Sequence, residues 1–355
     1  MTRSQWSDAA IRQLWAEGID GRALFGPDAT VKPHQVDNLL QHRSELPMRD
    51  ALKYRSPDEV RVGAPLMALF VERGSLVPWL ERLLGGALQG AAVTGVQDGQ
   101  LDRITHWRLN LALGHGFPTP DRVVQLWADH PNRVQDTPAE QQILHWHRGH
   151  EPWLTRWHPY REGSGAMRRA LLWGAIYRVP EQAAVAAAGD ARAAYSGWGI
   201  WTAAVVAYAV SGLPQGWTPH DGARRCLYAM TRVDPKWPGI ADLDALLRAD
   251  FPGGSWDAWR HTIDREFSGY PDDHSLPNLL LILGVLYWYP EASPEETGDL
   301  LQGAGWDVLG NRLIAGALMG RRAGRIDIDP DALNLMVEAT VKAHGHPPNA
   351  RGQGI

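Results

Sequence analysis

HSLPNLLLILGVLYWYPEASPEETGDLLQGAGWDVLGNRLIAGALMG, residues 274–320, is the stretch that decides the fold. It predicts three helices in close succession. Residues 279–289 form an apolar run too short to span a bilayer, so a buried core helix is expected there. The second helix opens at Ser293-Pro294 with Glu296 at its third position, a capping box with proline at N1. The third follows Asn311 and carries Ala315, Gly316, Ala317 and Gly320, small residues that let another helix approach closely. Between the last two, Gly305-Trp306-Asp307-Val308-Leu309-Gly310-Asn311 is a polar turn feeding a helix N-terminus, where ligands or ions are commonly held.

The helical texture continues upstream. Residues 183–210 are alanine-rich and broken only around Ser196-Gly197. Thr137-Pro138-Ala139-Glu140 is a second capping box, Thr119-Pro120 starts another helix, and residues 76–94 set apolar residues at helical spacing before a glycine-alanine stripe. Long alternating runs bounded by turn residues are nearly absent, so an all-α chain is expected. Residues 1–60 hold short helical segments broken by Gly-Pro, Lys-Pro and Leu-Pro steps. Too thin in apolar residues to fold alone, they are expected to pack on a helical domain spanning 61–343. Residues 344–355 are rich in proline and glycine and are expected to form a flexible tail.

The 355 residues suffice for one large core or two modest ones, and 21% charged with 44% hydrophobic residues is the balance of a soluble globular protein. A net charge of -5 without a long basic run gives no footprint for nucleic acid or an anionic membrane surface. The lone Cys226 rules out an internal disulfide and fits a reducing compartment. The polar start, MTRSQWSDAAIRQLW, lacks an apolar signal core, so a cytoplasmic location is expected. With 17 tryptophans against 5 phenylalanines, an aromatic-lined cavity is expected as well.

The 305–311 turn resembles that of the ADP-ribosylglycohydrolase family, which reads GxDTDxN and uses its two aspartates to help bind a pair of magnesium ions beside a ribose. Further blocks are similar. Gly86-Ala87-Leu88-Gln89-Gly90-Ala91-Ala92 resembles the family's first glycine-alanine helix. Pro159-Tyr160-Arg161-Glu162, Gly165-Ala166, Arg169-Ala170 and Gly174 resemble a PYRExxGAxxRAxxxG pattern of one bacterial branch. Asp190-Ala191 with Gly199-Ile200 resembles that branch's DASxSHxxNGIYGE helix, and His274, Pro277 and Asn278 its HTIPN. The resemblance implies the family's compact multi-helix fold.

The departures fall on the family's metal chemistry. Asp307 and Asn311 match the turn, but Leu309 stands where the second aspartate would be. The first metal motif corresponds to residues 101–107, with Asp102 as its remaining carboxylate and His106 nearby. The branch's histidine, asparagine and glutamate fall at Tyr195, Trp198 and Ala203, and an acidic position falls at Leu171. A small hard cation needs several oxygen ligands, so two magnesium ions are not expected here, nor any other cofactor. The replacements are mostly bulky and apolar, which argues for a reshaped cleft over a decayed one.

Three other groupings bear on chemistry. His145-Trp146-His147 with His150, Trp153, Trp157 and His158 lacks a ligand geometry for zinc, because residues two apart on a helix point to different faces. Gly163-Ser164-Gly165 leading to Arg168 and Arg169 is either a phosphate cradle or close helix packing with an ion pair to Glu162. Asp272-Asp273-His274 is either an acid/base cluster or the cap of the core helix, through Asp273 or Ser275.

The expected function is thus a repurposed, metal-independent enzyme of specialised metabolism, a lyase, isomerase or cyclase acting on an apolar or aromatic small molecule. Tyr195, Trp198, Trp201 and Trp306 are the expected walls, stabilising positive charge by cation–π contact, with Asp102, His106 and Ser196 as further expected substrate-binding residues. Asp272, Asp273, His274, Asp307 and Asn311 are expected to orient substrate or move protons. A non-catalytic ADP-ribose or nucleotide binder and a residual glycohydrolase around one ion, held by Asp102, Asp272 and Asp307, are the alternatives.

Overall fold

The computed structural model describes residues 78–84, 86–87, 118–129, 137–148, 160–177, 179–233, 254–319, 334 and 337. Their regular structure is helical. After a helical segment at 78–84 come α1 (Pro120–Asp129), α2 (Pro138–Arg148), α3 (Gly165–Ile176), α4 (Pro180–Ala191) and α5 (Trp198–Gly212). A single 3₁₀ turn, Leu213–Gln215, leads to α6 (Pro219–Val233); α7 (Trp256–Glu266), α8 (Ser275–Trp288), α9 (Pro294–Ala304) and α10 (Val308–Met319) follow. Among the described residues no strand forms, and one isolated antiparallel bridge joins Gly163 to His274. No described helix is long and apolar enough to cross a membrane.

Helix α5 is the centre of the core. Every residue from Trp201 to Gly212 is buried, against α3, α4 and α6. Small side chains allow this density. A Cβ on Gly174 of α3 would lie 2.5 Å from Val210 Cβ and 2.6 Å from the Ala207 carbonyl oxygen, so the two backbones nearly touch. On the other side, a Cβ on Gly222 of α6 would lie 2.6 Å from Ala209 Cα. The break between α4 and α5 falls where Ser196-Gly197 predicts it, with Gly197 at φ 51°, a backbone conformation that favours glycine.

The opening stretch folds into three helices with altered edges. The expected core run is buried from Leu279 to Leu286, but its last turn surfaces: Tyr287 and Tyr289 are 38% and 39% exposed. Helix α9 carries the full capping box, Ser293 Oγ accepting from Glu296 N–H and Glu296 accepting from Ser293 N–H. Helix α10 starts at Val308 rather than after Asn311, because Asp307 caps it: Asp307 Oδ1 accepts from Gly310 N–H at 3.1 Å.

The second expected box is only half formed. Thr137 Oγ1 accepts from Glu140 N–H at 3.3 Å, but the Glu140 carboxylate turns inward to Arg169. That arginine donates through Nη1 to Glu140 and through Nε to Asp190 Oδ1 at 2.8 Å, while Trp173 Nε1 donates to Asp190 Oδ2 at 2.7 Å. Its guanidinium lies 4.9 Å from the Trp127 ring centroid and 5.6 Å from that of Tyr195. A buried cation, two buried carboxylates and two aromatic faces thereby join α1 to α4, just behind the cleft described next.

Candidate functional site

Two turns meet at the N-terminal ends of α3 and α8. Ser164 N–H donates to the Asp273 carbonyl at 2.7 Å and Ser275 N–H to the Glu162 carbonyl at 2.8 Å, on either side of the Gly163–His274 bridge. Glycine gives the turns room at 163, since a Cβ there would lie 3.2 Å from both Asp273 Oδ2 and the Tyr160 carbonyl oxygen and press on each. In front of these turns is a cleft of about 180 Å³. Gly163, Ser164, Gly165 and Arg168 line one side, Asp273, Asp307 and Leu309 another, and Tyr195 with residues 137–139 the third.

Asp307 is held by two donors. Besides capping α10 with Oδ1, it accepts from Ser164 Oγ through Oδ2 at 2.5 Å. Ser164 stands at the N-cap of α3 but makes no side-chain cap there; its hydroxyl crosses to α10 instead. Asp273 is half-buried. Burial, then the neighbouring charges of Asp272 and Asp307, raise its carboxyl pKa above the ordinary aspartate range, with His274 opposing. Tyr195 is pinned by Thr137 Oγ1 at 2.8 Å and by Glu140 Oε1, to which its hydroxyl donates at 3.3 Å. Burial, then the Glu140 charge, drives its pKa far upward, so it is a neutral phenol at any physiological pH.

Of the residues singled out from sequence, Asp273, Asp307 and Tyr195 come together here. Asn311 lies beneath the turn, 1% exposed and bonded through Nδ2 to Asn278 Oδ1 at 2.6 Å. Asp272 is exposed, its carbonyl accepting from Asp307 N–H at 3.1 Å. His274 is buried: Nδ1 accepts from Leu276 N–H at 3.3 Å and Nε2 lies 3.2 Å from Glu162 Oε2. The cap of the core helix is therefore His274, in place of Asp273 or Ser275, and Glu162 lies against its other ring nitrogen.

The expected tryptophan walls are absent from this lining. Trp201 is 2% exposed in the core. Trp198 is partly buried against it, and Ser196 is half-buried on the turn before α5. Trp306 turns away, its Nε1 donating to Asp264 Oδ1 at 2.9 Å. Aromatic and apolar walls come from Tyr195, Leu309 and Pro138 instead. Leu171 and Ala203 are core residues. Asp102, His106, His150, Trp153, Trp157 and His158, and the side chains of residues 145–147, lie outside the described residues. So do the first domain segment, 1–60, and the tail, 344–355.

The two arginines of the possible phosphate cradle have parted. Arg168 lines the cleft while Arg169 faces the core. From sequence Ser164 is legible only as part of the possible phosphate cradle and Thr137 only as a helix cap, and neither as a partner of a cleft side chain. Ser164 reaches a partner 143 residues away and Thr137 one 58 away, contacts with no local signature. Chemically, the cleft offers a carboxyl whose charged form the surroundings disfavour, a second carboxyl beside it, a guanidinium and an apolar shelf. Among the described residues no three His, Cys, Asp or Glu side chains gather to hold a metal. Comparison with family models, curated proteins and solved structures returned no match to this chain.

Proposed function

We propose that this chain has an ADP-ribosylglycohydrolase-like helical fold and is a metal-independent acid–base enzyme. Its substrate is a small molecule with an apolar or aromatic body, converted by cyclisation, isomerisation or elimination. Asp273 supplies a proton and Asp307 receives one or orients the group that gives it up. Leu309, Pro138 and Tyr195 seat the apolar part. The observation that supports this reading is the convergence of Asp273 and Asp307 on one cleft, with Asp273 pushed toward its neutral form. A carboxyl whose neutral form is favoured by its surroundings, beside a second carboxyl, suits proton transfer in both directions.

The proton on Asp273 has a stability signature. Its folded pKa lies above the unfolded one, so its contribution is fully present below the unfolded value and lost as pH climbs through the raised folded value. At neutral pH the native protein thus carries a carboxylate the fold disfavours. Asp273→Asn is expected to be more stable than the native protein at pH 7, the difference closing below about pH 4. Turnover, measured on any substrate found, should fall by about a hundred- to ten-thousand-fold in the same variant. Urea unfolding across pH, with a carbon-13 titration of the Asp273 carboxyl, checks the first part. An ordinary aspartate midpoint would overturn the acid–base reading.

The metal question is separable. Leu309 places an apolar side chain on the cleft wall beside Asp307, where the resemblance calls for a second aspartate. Losing that carboxylate removes both a ligand and part of the negative field that offsets dehydration of a small divalent ion. Calorimetric titration with Mg²⁺ or Mn²⁺ is expected to show no tight site, and chelation should leave turnover unchanged. Saturable micromolar binding of Mg²⁺ that is lost in Asp307→Asn would restore the hydrolase alternative. Arg168, buried at the cleft near the start of α3, favours a second reading as a non-catalytic binder of ADP-ribose or a nucleotide. A thermal shift with ADP-ribose that survives Asp273→Asn would select it.

A further inference from the structure

Asn278, on the first turn of α8, is 0% exposed and does not line the cleft. Its side-chain amide nevertheless engages both turns that carry the cleft's carboxylates. Nδ2 donates to the carbonyls of Asp272 and His274, both at 2.8 Å, which flank Asp273 on either side. Oδ1 accepts from Asp307 N–H at 3.1 Å and from Asn311 Nδ2 at 2.6 Å. Two donors and two lone pairs are the whole capacity of an asparagine side chain, so it has none left for a substrate. The partners also fix the amide's orientation, because carbonyls only accept and a backbone N–H only donates.

We infer that Asn278 is a positioning residue of the site: one buried amide reinforces the Asp307 N–H to Asp272 carbonyl contact, clamps the 272–274 turn to the Asp307 turn, and so helps set how closely the two carboxyls approach. Asp307 has little freedom of its own, being tied to Gly310 and Ser164, and the Asp273 carboxyl lies near Gly163. Their separation depends on where their backbones lie, and both backbones are bonded to Asn278. Displacing a reacting group by about 1 Å can cost on the order of a hundredfold in rate. The inference rests on the acid–base reading above, since it concerns the spacing of that pair.

Asn278→Ala keeps every cleft side chain and removes the amide's four bonds, leaving the Asp307 N–H to Asp272 carbonyl bond and Ser164 to join the turns. Its Asp273 carboxyl, followed by carbon-13 titration, is expected to move down as the Asp307 charge recedes, while burial and Asp272, the larger causes, keep it raised. An unchanged midpoint in the folded variant, or a crystal structure of it with both carboxyls in their native places, overturns the inference. The crystal structure decides even where native Asp273 titrates normally, an outcome that defeats the acid–base reading on its own. Should the variant fail to fold, the native protein carries the test. The two Nδ2 protons of Asn278 should be protected from exchange, and their shifts should follow the Asp273 titration. Exchange at solvent rates, or shifts blind to that titration, would show a residue that packs without positioning.

Discussion

Arg169→Met is expected to destabilise the protein by about 3–5 kcal/mol in chemical unfolding. The guanidinium lies between Glu140 and Asp190, each 1% exposed, and removing it strands two carboxylates in the core. Burial alone would lower the Arg169 pKa, but the Asp190 and Glu140 charges more than offset it, and the net shift is upward. Breaking such a group costs far more than the group contributes when intact, because the partners cannot return to water. Lysine should not rescue it: a single ammonium cannot reach two carboxylates while lying flat between Trp127 and Tyr195. A loss under about 1 kcal/mol would mean that water reaches these carboxylates and that the network is not a core element. The effect should also reach the cleft, because Glu140 is a partner of the Tyr195 hydroxyl.

The other large effect is steric. Gly174→Val places a branched side chain where the first added carbon already lies 2.6 Å from the Ala207 carbonyl oxygen. That oxygen belongs to the α5 backbone and cannot rotate away, so α3 and α5 must separate. Overpacking of this kind typically costs about 1–3 kcal/mol, and three added carbons against a main chain place valine at or above the upper end. Alanine is the graded comparison. Its better helix propensity returns about 0.8–1.0 kcal/mol, so the net loss should be smaller but still measurable. Thermal unfolding of both variants reads the series. An alanine variant as stable as the native protein would show that the two helices slide apart at little cost.

What could be read in advance was what is decided within about four residues. The α9 cap, the start of α1 at Pro120 and the break at Gly197 all follow from backbone rules that act locally. Asp273 and Asp307 were legible as carboxylates in turns that feed helices, positions where polar groups face solvent or ligand. Trp306 was not. It sits one residue before Asp307, and sequence cannot say which of two neighbours on a turn faces the cleft; the hydrogen bond to Asp264 decides it. Glu140 shows the same limit in another form. Local logic assigns it to Thr137, but a buried arginine on another helix is the stronger partner and takes it. In Asp272-Asp273-His274-Ser275 local preference points to aspartate or serine as the cap, yet His274 takes the place, with Glu162, 112 residues away, against its other ring nitrogen.

The hydroxyl of Ser164 meets the carboxylate of Asp307 across 143 residues of chain. Closing a loop of that size costs roughly 4 kcal/mol in chain entropy before any contact compensates. Helices α3, α4 and α5, close in sequence and tightly packed, meet no such barrier and can form early. The cleft is thus expected to be the last part of this core to assemble and the first to come apart. A chain halted at the end of α9 would hold Asp273, yet have no Asp307 to set beside it.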